Sequence, residues 1–198
     1  RPIEERAGLV IALADALQAR AGEFSQLLTR EQGKPLDQAG MEVMGAAFTL
    51  RAFAAMRLEP VLLKDDEKGK IVELRKPLGV VGAITPWNYP LMLLMNKVGP
   101  ALMAGNVVIL KHSAQTPLTA ERYAEAFAAA GLPTGVFQFL HLDHAATERI
   151  IKDAQVNFVA FTGSVPGGEM VEAAAAGRFI GVGLELGGKD PAYVRADA

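Results

Sequence analysis

Four short clusters in the 198-residue chain mix polar, glycine-rich and aromatic residues. They are Thr85-Pro86-Trp87-Asn88-Tyr89-Pro90, Lys111-His112-Ser113-Ala114, Thr162-Gly163-Ser164-Val165-Pro166-Gly167-Gly168 and Glu185-Leu186-Gly187-Gly188-Lys189. Asn88 has proline close on either side, so its amide can be held rigid and donate to an oxyanion as charge develops. An Asn in a proline-rich turn can equally bond its local backbone. Glu185 ends the apolar run Val182-Gly183-Leu184. Desolvation there would raise its pKa toward the range of a general base, whereas an ion pair with Lys189 or plain exposure would not. Lys111 can bond ribose hydroxyls or a phosphate, or remain a solvated lysine at a strand end. The Gly163–Gly168 turn offers backbone N–H groups and a helix dipole to a pyrophosphate. It matches neither G-x-G-x-x-G nor a Walker loop, and a tight turn capped by Ser164 explains it as well. His141 and His144 are spaced like metal ligands, but no third ligand is evident nearby, cysteine is absent, and no metal is expected.

To act together, these clusters need strands whose ends lie side by side. Strand-like runs at Gly79–Ile84, Asn106–Leu110, Val136–Leu140, Val156–Phe161 and Ile180–Leu184 alternate with helix-length segments. Thr116-Pro117 opens one helix, which closes at Gly131. Asp143 can cap the next, and Ser164 with Pro166 opens a third that stops at Gly177. Such alternation predicts βαβ units and, with right-handed crossovers, a doubly wound, mostly parallel α/β sheet. Ligands of such sheets bind outside the carboxyl ends of the strands, where the four clusters fall.

The first 57 residues read as helical. Ile3, Val10, Leu13 and Leu17 share a face, Gly33 and Pro35 punctuate, and a second helix follows Asp37. Its Met41, Met44, Phe48 and Ala52 recur at three- and four-residue steps and read as core packing. A charged segment, Lys64 to Lys70, separates Val61-Leu62-Leu63 from Ile71-Val72-Glu73-Leu74, which reads as a hairpin, or as two edge strands with a charged tip.

The composition is 51% hydrophobic and 21% charged, which excludes a disordered tail. A formal charge of −2 leaves no basic footprint for nucleic acid or anionic lipid. The stretch Leu91 to Leu110 is broken by Asn96, Lys97, Gly99, Pro100, Gly105 and Asn106, so it reads as a buried helix and a strand, not a membrane span. With no cysteine there is no disulfide framework and no thiol nucleophile, and a reducing, cytoplasmic location fits. The first residues lack the apolar run of a signal peptide. Opening without Met inside a helical pattern, the chain reads as a fragment or a processed product.

Taken together, Pro86-Trp87-Asn88-Tyr89-Pro90, Lys111, Phe161-Thr162-Gly163-Ser164 and Glu185-Leu186-Gly187-Gly188-Lys189 resemble the aldehyde dehydrogenase superfamily in order and rough spacing. Glu31-Gln32-Gly33-Lys34-Pro35 is similar to its N-terminal helical signature. The resemblance covers essentially the whole chain. It implies a Rossmann-like fold and oxidation of an aldehyde to a carboxylic acid with NAD or NADP. In that family a Cys thiolate attacks the aldehyde, the thiohemiacetal passes hydride to the nicotinamide, and water hydrolyses the thioester. By resemblance Asn88 stabilises the oxyanion and Glu185 activates water or the thiol. Lys111 binds the adenosine ribose, and Gly163, Ser164 and the helix that follows lie against the pyrophosphate. Ile84, Thr85, Pro86 and Trp87 line the cofactor cleft, and Ser113, Ala114, Phe161, Thr162, Gly167, Leu186 and Gly187 complete the cofactor-binding set.

The resemblance also implies a division of the chain. Residues 1–57 form the helical part of the cofactor-binding domain and 58–77 a hairpin, in which Pro60–Lys76 is similar to the family's oligomerisation hairpin. Residues 78–185 form the NAD(P)-binding α/β domain, and 186–198 begin a catalytic domain. A homo-oligomer, dimer or tetramer, is expected at full length. Three departures qualify this. The family's Cys lies downstream of Glu185-Leu186-Gly187-Gly188-Lys189, so a chain ending at Ala198 is expected not to oxidise aldehydes alone. Ala114 stands where NAD-preferring members often carry Glu, so NADP is expected to be tolerated. His141-Leu142-Asp143-His144 replaces a Gly-rich turn near the adenine. The rival readings are a stand-alone nucleotide-binding or assembly module, and an acylating relative that passes the acyl group to coenzyme A or phosphate. Glu185 counts against the second.

Overall fold

The computed structural model describes residues 1–198. Three helices, α1 (Ile3–Ala19), α2 (Ala21–Gln32) and α3 (Leu36–Ala55), precede the antiparallel hairpin of β1 (Val61–Asp66) and β2 (Gly69–Glu73). Then follow β3 (Val80–Ile84), α4 (Pro90–Met103), β4 (Val107–Lys111), α5 (Pro117–Ala129), β5 (Phe137–Leu140), α6 (His144–Lys152), β6 (Val156–Thr162), α7 (Val165–Ala175) and β7 (Gly181–Glu185). β3 to β7 form one wholly parallel sheet in the order β5-β4-β3-β6-β7. This is the doubly wound α/β architecture that the alternation predicts, and each strand end falls within one residue of its expected position.

Side chains alternate across a strand, so the sheet divides the core into two layers. Val81, Ala83, Val108 and Leu110 pack toward α1–α5. Ile84, Val159 and Phe161 pack on the other face, against Ile151 of α6 and Val171, Ala174 and Ala175 of α7. β3 is the switch strand. The chain leaves it through α4 toward β4 on one side and returns through α6 to β6 on the other. The connections diverge there, so a crevice opens at the carboxyl ends.

Two expectations for the helical part need correction. Residues 1–57 hold three helices, because the chain breaks at Arg20 (φ −102°, ψ 18°). No Gly or Pro marks that break. Arg20 instead bonds Glu23 at 2.7 Å and Glu125 of α5 at 3.1 Å, partners that packing supplies. Met41, Met44 and Phe48 are not core: they are 63%, 46% and 72% exposed. The buried face of α3 is instead Ala39, Glu42, Val43, Ala46, Ala47, Leu50 and Ala54. Close approach to α4 is the reason. A Cβ on Gly45 would lie 2.6 Å from Met92, and one on Gly99 would lie 2.6 Å from Phe53. Only small residues fit such a seam, so the bulky stripe turns outward. No helix is long and apolar enough to cross a membrane.

Candidate functional site

The register of the sheet sets the site. Ile84 pairs with Lys111 on one side and Phe161 on the other, and Thr162 pairs with Glu185. Above these tips lies a cleft of about 500 Å³. Ile84, Thr85, Pro86 and Trp87 enter it from β3, Lys111 and Ser113 from β4, and Phe161, Thr162, Gly163, Ser164 and Gly167 from the β6–α7 turn. His144, Thr147, Glu148 and Ile151 of α6, with Met170, Val171, Ala173 and Ala174 of α7, close it. These helical residues escaped the sequence reading, although their three- and four-residue spacing marks one face of each helix.

The β6–α7 turn is a glycine cradle built over a ring. A Cβ on Gly163 would lie 2.6 Å from Phe161 Cζ, and one on Gly167 would lie 2.8 Å from it. Ser164 caps α7 by accepting the Gly167 N–H at 3.3 Å, and the Gly163 N–H donates to the Glu185 carbonyl at 3.0 Å. On the opposite wall, burial holds the Lys111 ammonium below the usual lysine pKa, and no carboxylate offsets it. A half-buried cation without an anion, facing a helix N-terminus and a glycine turn, is a donor set that fits an oxygen-rich dinucleotide.

Behind Lys111, His112 is buried and its Nδ1 lies 2.6 Å from Thr85 Oγ1. Burial, then the charges of Lys111 and His141, push its pKa down to about 4, so the ring is neutral at pH 7. His112 Nε2 and Thr116 Oγ1 are buried without partners.

A second hollow, about 710 Å³, opens on the α4 side of β6 and β7. Glu185 and Leu186 line it with Lys97, Leu93 and Asn96, while Phe161 and Thr162 border both hollows. Lys97 donates to Thr162 Oγ1 at 2.6 Å. Burial lowers its pKa and the Glu185 charge pulls it back up. In the sequence Lys97 reads only as a break in an apolar run. Its clue was a lone ammonium in an otherwise apolar helix.

The structure does not gather every expected residue. Glu185 is exposed, so the desolvation expected from its apolar neighbours is absent. Asn88 is exposed and lines neither hollow, and the bond it makes is through its carbonyl, to Lys34 Nζ at 2.9 Å. Ala114 and Gly187 also line neither. His141 pairs with Glu121 at 3.1 Å.

The profile described as the aldehyde dehydrogenase family matches residues 1–198. The chain is 37% identical over 201 residues to the succinate semialdehyde dehydrogenase Sad, NAD(P)+, of Escherichia coli K12, covering 99% of this chain and 43% of that protein. It is 39% identical over 199 residues to the NADP(+) succinate-semialdehyde dehydrogenase of Mycobacterium avium strain 104, covering 98% and 42%. Succinic semialdehyde dehydrogenase from Streptococcus pyogenes, solved in complex with NADP+, superposes with a TM-score of 0.90 at 28% identity, covering 95% of this chain and 42% of that one. The chain thus spans under half the length of these relatives. With its whole length matched and its strand tips so arranged, the chain belongs to the aldehyde dehydrogenase family.

Proposed function

We propose that this chain supplies the dinucleotide-binding part of an NAD(P)-dependent oxidation of an aldehyde to a carboxylic acid. The observation that carries the reading is the cleft where Ile84–Trp87, Lys111, Ser113 and Phe161–Gly167 meet across the switch strand. The relatives named for NAD(P)+ and NADP(+) support it. NAD(P)+ bound there supplies the hydride acceptor. Lys111 donates to ribose hydroxyls, and the first turn of α7 with Gly163 and Gly167 receives the pyrophosphate. His144, Thr147 and Met170 wall the adenine side. Ala114 presents no carboxylate to a 2′-phosphate, so NADP+ is tolerated. Asn88 donates its amide to the oxyanion, and Glu185 accepts the proton of water or of a thiol. No thiol is present among the 198 residues, so by themselves they form no thiohemiacetal from which hydride could pass. The hairpin of β1 and β2 is an assembly element between copies.

Trp87 is the one tryptophan of the chain, and it borders the cleft. Titration with NADPH is expected to quench its emission saturably. Lys111→Ala is expected to weaken binding about tenfold, the size of one charge-assisted hydrogen bond. Emission that stays flat, with no heat of binding by calorimetry, overturns the reading.

A further inference from the structure

The joint between α2 and α3 reaches across the molecule to the loop that carries Asn88. Gly33 turns the chain there with φ +76°, the left-handed cap that glycine adopts without strain. The turn aims the Lys34 side chain inward, where it is 10% exposed. Its ammonium pairs with the fully buried carboxylate of Glu42, donates to the Asn88 carbonyl at 2.9 Å, and lies 4.2 Å from the centre of the Tyr89 ring. The Gln32 amide nitrogen, turned toward the loop, lies 3.1 Å from the Trp87 carbonyl and 3.2 Å from that of Asn88.

The carboxylates of this region serve helix starts. Glu42 Oε1 accepts the N–H groups of Leu91 at 2.8 Å and Met92 at 3.3 Å, in the first turn of α4. Glu31 accepts those of Leu118 at 2.7 Å and Thr119 at 3.1 Å, in the first turn of α5. Neither helix is capped by its own N-cap side chain, so both depend on these distant groups for their orphan donors. A buried ion pair is a weak source of stability compared with apolar packing of the same volume. Here it does something packing could not. It ties back the Asn88 carbonyl and leaves the Asn88 side-chain amide without an internal partner.

We propose that Gln32, Lys34 and Glu42 form a positioning clamp, which fixes the Trp87–Tyr89 backbone so that the Asn88 amide is held free to donate, while Glu31 fixes the start of α5 behind Lys111. The clamp touches neither substrate nor cofactor and acts through Asn88. It rests on the reading of Asn88 as an oxyanion donor given above.

The test is the time-resolved anisotropy of Trp87 in the chain without dinucleotide. The double variant Lys34→Met/Glu42→Gln removes both charges but keeps an acceptor for Leu91, so the helix start survives. The amplitude of nanosecond local motion at Trp87 is expected to rise at least about twofold, with the melting temperature within a few degrees of the unchanged chain. Lys34→Arg, which keeps the donors, restores the low amplitude. Gln32→Leu, at a partly exposed position, removes only the amide tether and gives a smaller rise, which keeps the test open if the double variant fails to fold. Unchanged Trp87 motion in the folded double variant, or in Gln32→Leu if that is the variant that folds, overturns the clamp. NADPH titration of the unchanged chain separates the two ideas. Failure to bind removes the site reading and the clamp's purpose with it, whereas binding with unchanged Trp87 motion removes the clamp alone.

Discussion

Lys111 and His112 are chain neighbours that respond differently to burial. The lysine stays partly exposed and available to a ligand, while the histidine gives up its charge. The consequence for stability has a definite sign. The His112 pKa falls from an ordinary 6.5 to about 4 in the fold, so below pH 6.5 the unfolded chain binds the proton first. The stabilisation from neutral His112 is therefore fully present above pH 6.5 and is lost as pH falls toward 4, with an upper size of about 3 kcal/mol. Urea unfolding at pH 7.5 and pH 4.5 is expected to show a smaller loss for His112→Gln than for the unchanged chain. Equal losses would refute the assignment. Neither the burial of His112 nor the exposure of Glu185 was legible in the sequence, since both follow from which layer covers each strand end.

For the elements, the decisive piece is the turn from β6 into α7. The Phe161 ring fills the space that side chains at positions 163 and 167 would need. Gly163→Ala is expected to push the ring into the cleft, weaken NADPH binding about tenfold, and destabilise by about 1–3 kcal/mol, the range for overpacking. Gly22→Ala in α2 is the matched control, because it lies outside the cleft and a Cβ there meets nothing within 4 Å. Titration and chemical denaturation of both variants check this, and equal behaviour would show that the ring yields freely. This turn was legible as a strand-to-helix junction because Ser164, Pro166 and the glycines are local punctuation. The ring beneath it was not, since Phe161 reads as one more apolar strand residue.

In the molecule as a whole, one exposed apolar surface stands apart from the five-stranded sheet. The hairpin leaves Leu62, Leu63, Ile71 and Leu74 54%, 60%, 53% and 57% exposed, an apolar ribbon outside the sheet. Such ribbons mark contact surfaces. Light scattering is expected to show self-association of the unchanged chain that Leu62→Lys/Ile71→Lys abolishes; a monomer in both cases rejects the assembly role. The chain mixed with an aldehyde and NADP+ is expected to form no NADPH above a Glu185→Gln control, since no cysteine is present to attack. Turnover above that control would contradict the need for a thiol.

Periods of two and of about 3.6 residues, with Gly, Pro, Ser and Asp at the joints, were enough to specify the order of elements, the parallel sheet and the clustering of polar motifs at its tips. Each of those signals acts over a few positions. The outward turn of Met44 and Phe48, the break at Arg20, the pairing of Lys97 with Thr162 and the tie from Lys34 to Asn88, 54 residues away, were settled only in three dimensions. Those features depend on which surfaces meet, and chain topology rather than local pattern chooses the partners.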